Sequence, residues 1–181
     1  MNKGVLKIPA YSTILLDTNV LIDSVEYPEE FQWLYNALND VESISHTLSP
    51  IIRLEFFRGF ANKVKANELL ERALGKDNFI LPIDQKDYDL AYEIARVYLS
   101  NGNKKISIGD LLIASEVAKY SIPKRTSTPL VLATQNHKDF SPVLFDLVDV
   151  MNIPLRNGQI KTIGFYVFNA DRFDKVKVSK S

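Results

Sequence analysis

Asp17, Glu55, Asp110 and Asp139 are the side chains of this 181-residue sequence best placed to do chemistry. Each falls where a predicted strand ends or a predicted helix begins, and in an open α/β sheet ligands collect outside the carboxyl ends of the strands. The chemistry open to such residues is hydrolysis driven by carboxylates. Cysteine is absent and histidine occurs only as His46 and His137. Disulfide scaffolds, thiolate zinc sites, iron–sulfur clusters, cysteine nucleophiles and multi-imidazole zinc centres are therefore excluded. The seven glycines form no G-x-G-x-x-G, no G-x-x-x-x-G-K and no G-x-S-x-G, which removes the dinucleotide, P-loop and nucleophile-elbow readings.

Each acid also has a purely structural role available. Asp17 can cap the helix that follows it. Asp110 lies three residues after Ser107, close to a capping box, and Asp is favoured near a helix N-terminus. Glu55 sits in the apolar run Ile51-Ile52-Arg53-Leu54-Glu55-Phe56-Phe57. There it either snorkels, pairs with Arg58 one turn on, or is held inward, the reading its apolar surroundings favour. Asp139, in Lys138-Asp139-Phe140, has the character of a turn residue.

The elements that must position these acids alternate short apolar runs with stretches of helical period. Strands are predicted at 13–16, 44–48, 79–83, 129–133 and 162–168. The first helix is predicted over 18–24. Phe31, Leu34, Tyr35 and Leu38 form one helix face. Ser49-Pro50 starts another helix with a serine cap and Pro at the first helical position. A further helix carries Ala66, Leu69, Leu70, Ala73 and Leu74 and stops at Gly75. Asp84 and Asp87 open the next, and one more runs over 109–120. Strands separated by helices imply right-handed βαβ crossovers, hence an α/β fold of three layers with a central, mostly parallel sheet flanked by helices. Residues 152–161 read as a loop, and from about 171 the chain, with Lys175, Lys177 and Lys180, reads as a flexible basic tail.

Composition agrees with a soluble globular chain, at 46% hydrophobic and 24% charged residues. The apolar run Ile14-Leu15-Leu16 meets Asp17 at once, too short for a signal-peptide core, and nothing approaches a membrane span. The expected location is the cytoplasm. Lys plus Arg equals Asp plus Glu at 22 each, so a polyanionic partner must be met by a local patch. Arg53, Arg58, Lys104, Lys105 and Lys138 flank the acids and are the candidates for it.

Taken together, the motifs resemble the PIN-domain family, in particular its VapC-type toxin ribonucleases. The resemblance rests on Leu15-Leu16-Asp17-Thr18-Asn19-Val20-Leu21-Ile22-Asp23, then Arg53-Leu54-Glu55-Phe56-Phe57-Arg58-Gly59. It continues at Ile108-Gly109-Asp110-Leu111-Leu112-Ile113-Ala114 and at Thr134-Gln135-Asn136-His137-Lys138-Asp139-Phe140. It covers roughly 13–140; the additional N-terminal residues and the longer stretch after Phe140 depart from the compact toxin pattern. The resemblance implies one PIN-like nuclease domain over 1–181 and an endoribonuclease dependent on Mg²⁺ or Mn²⁺, ions that suit hard oxygen ligands. Asp17, Glu55 and Asp110 would be metal ligands, with Asp139 or Asn136 completing the set and Thr18 and Thr134 orienting a water or a ligand carboxylate. RNA would be the substrate, a small antitoxin the protein partner, and the protein a homodimer. A non-catalytic PIN-fold RNA-binding or scaffold protein is the alternative, against which the three principal acids stand. A phosphotransfer domain with an aspartyl nucleophile commonly needs a second Asp two residues on, where this sequence has Asn19.

Overall fold

The structure is a computed structural model and describes residues 6–75, 79–102, 106–121, 129–140 and 142–178. The chain runs β1 (Thr13–Leu16), α1 (Thr18–Glu26), α2 (Pro28–Asn39), β2 (Ser45–Leu48), α3 (Pro50–Arg58), α4 (Lys63–Leu74), β3 (Phe79–Ile80) and α5 (Gln85–Ser100). It continues with α6 (Ile108–Ser121), β4 (Leu130–Thr134), β5 (Phe145–Pro154), β6 (Ile160–Phe168) and α7 (Ala170–Val178). Six strands form one sheet in the order β3-β2-β1-β4-β6-β5. The first four strands in that order pair in parallel, as helical crossovers demand. This is the mostly parallel, three-layer α/β architecture that the periodicity predicts.

The parallel strands are short and apolar because helices cover them. Ile14, Leu15 and Leu16 are fully buried, and all five residues of β4 are buried, the continuous apolar signature of strands covered on both faces. The helix starts follow their local chemistry. Ser49 accepts a hydrogen bond from the Ile51 N–H ahead of Pro50, and Asp84 and Asp87 form a reciprocal capping box. In α3 the apolar run does not all face inward: Ile52 and Phe56 are buried, whereas Leu54 is 69% exposed. Helical period, not run length, decides the buried face. Among the described residues no helix is long and apolar enough to cross a membrane.

The C-terminal third differs most from expectation. Residues 145–154 form a strand, β5, paired antiparallel with β6. A bulge between Leu147 and Asp149 breaks the two-residue alternation, and that break conceals the strand from periodicity. The stretch 152–161, expected as a loop, is the end of β5, a tight connection and the start of β6. The connection is closed by Gly158, whose φ of 83° lies in the left-handed region. The strand β3 is shorter than predicted. The expected tail from about 171 is instead α7, because Phe173 is a buried anchor and Arg172 pairs with Asp146 at 2.7 Å. Lys177 and Lys180 lie outside the described side chains.

Candidate active site

The parallel register brings two motifs into contact before any side chain is considered. Leu16 pairs with Ala133, so Asp17 and Thr134 emerge side by side at the carboxyl ends of β1 and β4. Asp17 is extended, stands at the N-cap of α1 and is only 4% exposed. Its Oδ1 accepts from the Thr18 N–H at 2.7 Å, and its Oδ2 accepts from the Thr134 hydroxyl at 2.5 Å and the Asn19 amide at 2.8 Å. The capping role and the site role therefore coincide in one carboxylate.

The helix that begins after β2 supplies Glu55. The inward orientation holds: Glu55 Oε2 accepts from the Thr18 hydroxyl at 2.7 Å, and among the described residues it forms no ion pair with Arg58. Asp110 enters from the first turn of α6. The Ser107 hydroxyl donates to its Oδ2 at 2.5 Å while accepting from its backbone N–H at 3.0 Å, the local capping that the spacing predicts. Gly109 lets this helix start close to Glu55, since a Cβ there would stand 3.0 Å from Glu55 Oε1. Asp139 lies on the turn after β4. Asn136 Nδ2 donates to Asp139 Oδ2 at 2.6 Å and to Asp110 Oδ1 at 3.3 Å, bridging two of the acids.

All four acids thus belong to one neighbourhood, and the electrostatics register it. Burial pushes the Asp17 carboxyl above its usual range; its hydrogen bonds from Thr134 and Thr18 oppose that, and the Asp110 charge adds to it. Burial likewise raises Asp110, the Ser107 hydrogen bond opposes the rise, and the charges of Asp139 and Glu55 reinforce it. Among the described residues none of the four pairs with Lys or Arg. Arg53 lies over the Phe57 ring, 5.4 Å from its centroid. Arg58 and Lys138 are exposed, and Lys104 and Lys105 lie outside the described residues. Among the described residues, no three acidic or histidine side chains are already arranged closely enough to hold a metal ion. The donor set, all hard oxygen, is nonetheless of the type Mg²⁺ and Mn²⁺ take.

A PIN-domain family model matches residues 14–140, the span that carries all four acids. The chain belongs to the PIN domain family. Its PIN fold is similar to that of DNA-bound VapBC from Salmonella typhimurium, at 17% identity and a TM-score of 0.52, covering 71% of this chain and 90% of that one. VapBC2 from Rickettsia felis bound to a DNA fragment from their promoter gives 22% identity, coverage of 59% and 82%, and a TM-score of 0.47. VapBC-1 from nontypeable Haemophilus influenzae gives 19%, coverage of 65% and 84%, and 0.47. Comparison with curated proteins gave no sequence match.

Several residues of the PIN site escaped sequence reasoning. Asn19 was legible, being part of the first motif, yet its double role was not: it donates to Asp17, and its Oδ1 accepts from the Gln135 N–H at 3.1 Å. Gln135 reaches on to Asp23 at 2.6 Å, and Lys161 on β6 pairs with Asp23 at 2.9 Å. Nothing in the local sequence marks Lys161, which comes from a distant strand.

Proposed function

We propose that this PIN-domain protein is a metal-dependent endoribonuclease that hydrolyses RNA phosphodiester bonds with Mg²⁺ or Mn²⁺, and that it is the toxin of a toxin–antitoxin pair. One observation carries the reading: four acids from four separate segments meet at the carboxyl ends of β1 and β4 with no described cationic side chain to balance them. Such a cluster is costly unless a cation or protons neutralise it.

Asp17, Glu55, Asp110 and Asp139 would hold the metal. A bound divalent ion supplies Lewis acidity at a phosphoryl oxygen and a water made nucleophilic near neutral pH. The chain's own groups prepare for that. Thr134, Thr18 and Asn19 fix the Asp17 carboxylate, Thr18 also fixes Glu55, and Ser107 fixes Asp110. Such outer partners orient ligands and set their basicity. Asn136 keeps its amide Nδ2 on Asp110 and Asp139, and its Oδ1 can accept from substrate. The unbalanced acids also suit a small antitoxin that brings a basic side chain to them. Cytoplasmic location and a homodimeric state complete the proposal.

The alternative is a non-catalytic PIN-fold RNA-binding or scaffold protein. It rests on the amide and hydroxyl donors of Thr18, Ser107 and Asn136, which already engage oxygens of Glu55, Asp110 and Asp139. One experiment separates the two: cleavage of single-stranded RNA by the purified full chain with Mn²⁺, with Mg²⁺ and with EDTA, alongside Asp17→Asn. Metal-dependent cleavage lost in Asp17→Asn supports the nuclease. Absent cleavage with intact RNA binding supports the scaffold, and equal cleavage by a folded Asp17→Asn overturns the site assignment.

A further inference from the structure

The turn that carries Asn136 and Asp139 is tied on both flanks to β6, a strand that lies beyond the family-matched segment 14–140. On the upstream flank, Gln135 Nε2 donates to Asp23 Oδ2 at 2.6 Å, and Asp23 is only 6% exposed. Lys161 of β6 donates to the other oxygen of the same carboxylate at 3.0 Å. On the downstream flank, His137 Nδ1 lies 2.8 Å from the Tyr166 hydroxyl and Nε2 lies 3.2 Å from the Thr162 carbonyl, both partners on β6. A carbonyl only accepts, so Nε2 carries the proton and donates to it. In the neutral ring Nδ1 then accepts from Tyr166.

The backbone of β6 is shaped for these contacts. Gly164 pairs with Thr134 across the β4–β6 ladder. A Cβ at Gly164 would stand 2.6 Å from the Tyr166 ring and 3.0 Å from the His137 ring. Only a glycine leaves room for both rings. Tyr166 also contacts the Phe140 ring at 6.2 Å between centroids, so one side chain spans the turn from His137 to Phe140.

We infer that the β5–β6 hairpin is part of the site's scaffold, and that Tyr166 and Lys161 are positioning residues acting through His137 and Gln135 to aim the Asn136 amide between Asp110 and Asp139. The inference rests on the acid cluster being the working site. Its physical content is narrower: with Gln135 and His137 both anchored, Asn136 has little freedom to swing, and its Nδ2 stays on the two carboxylates. A turn anchored at one end only would let the amide leave them.

Two variants of the full chain test this: Tyr166→Phe, which deletes one hydroxyl, and Lys161→Met, which deletes one charge at similar length. Asn152→Ala is the control. It removes a different hairpin contact, the acceptor of the Thr162 hydroxyl. The readout is the side-chain amide NMR signal of Asn136, assigned by its loss in Asn136→Ala, with solvent exchange measured in the absence of metal. Faster exchange, by about tenfold, in Tyr166→Phe combined with Lys161→Met but not in Asn152→Ala is expected, and Lys161→Arg should restore the wild-type value. An unchanged Asn136 signal in the folded double variant overturns the inference, as does an equal change in Asn152→Ala. Calorimetric titration with Mn²⁺ alone forms the second arm, where the double variant is expected to bind about tenfold more weakly than wild type. If the amide responds while wild type binds no Mn²⁺, the positioning stands and the metal reading falls.

Discussion

The Thr134 hydroxyl donates to Asp17 Oδ2 at 2.5 Å, across two strands that the parallel register Leu16↔Ala133 sets edge to edge. Thr134 also accepts from the Asn136 N–H at 2.9 Å, so one hydroxyl joins the first acid to the turn of the fourth. Thr134→Val keeps shape and removes both bonds, together with the longer one that the hydroxyl accepts from the Asn19 amide at 3.4 Å. The expected loss is about 1.5–3 kcal/mol of stability from a hydrogen bond to a charged, buried group, read by chemical denaturation at neutral pH. Cleavage should fall with it, and the Asp17 carboxyl should rise further.

Asp17→Asn and Asp110→Asn are expected to lower cleavage by at least about 100-fold, the scale of losing a group on which the reacting centre depends. The fold should survive, since each change is nearly isosteric and removes a charge that burial disfavours. Circular dichroism and a denaturation curve beside the rate assay separate lost chemistry from lost structure.

At the fourth position the two candidates answer differently. Asp139→Asn should shift the Mn²⁺ midpoint of cleavage upward, because it removes a charge next to Asp110. Asn136→Ala should chiefly reduce turnover at saturating Mn²⁺. An unchanged midpoint in Asp139→Asn would transfer the fourth position to Asn136.

Gly109→Ala tests how closely α6 approaches Glu55. The new methyl would meet Glu55 Oε1 at 3.0 Å, the end of a side chain that can yield. Helix propensity favours alanine by up to about 1 kcal/mol, so stability should hold or rise while cleavage falls. A variant that is both stable and fully active would show that the Glu55 position is not critical.

Away from the site, Glu116 on α6 has a carboxyl that is fully buried and, among the described residues, makes no hydrogen bond of ordinary geometry. Burial pushes its pKa up to about 7, the nearby Ser49 hydroxyl opposing and the Asp87 charge reinforcing the rise. A carboxyl raised in the folded state favours folding at low pH. Its contribution is complete below the ordinary value of 4.5 and is lost as pH climbs toward about 7. Asp17 and Asp110 are raised too and act in the same direction. The metal-free protein should therefore be more stable at pH 5.5 than at pH 8, with Glu116 contributing about 2 kcal/mol of that difference. Denaturation at the two pH values should show Glu116→Gln flattening the dependence.

How legible these features were follows from their range along the chain. Asp17, Asp110 and Asp139 were readable because each stands at or just past an element boundary that local pattern reveals, and Glu55 because it interrupts the apolar run inside α3. The strands of the parallel core were readable for the same reason, being short apolar runs between helices. The strand β5 was not, since its bulge disrupts the alternation that marks a strand. Helix α7 was hidden by its lysines, which suggest a solvated tail, although Phe173 anchors it in the core. Lys161, Tyr166 and Gly164 depend on an antiparallel pairing with β4 that no local pattern encodes. Their roles exist only once the strands are side by side.

Because β4 is buried along its whole length and flanked by β1 and β6, a fragment ending at Phe140 would turn Leu130–Thr134 into a bare, apolar sheet edge. Such an edge recruits strands from other chains. A polypeptide trimmed to the four motifs should self-associate into insoluble material, however complete its set of acids, whereas one extending through Phe168 keeps that edge paired.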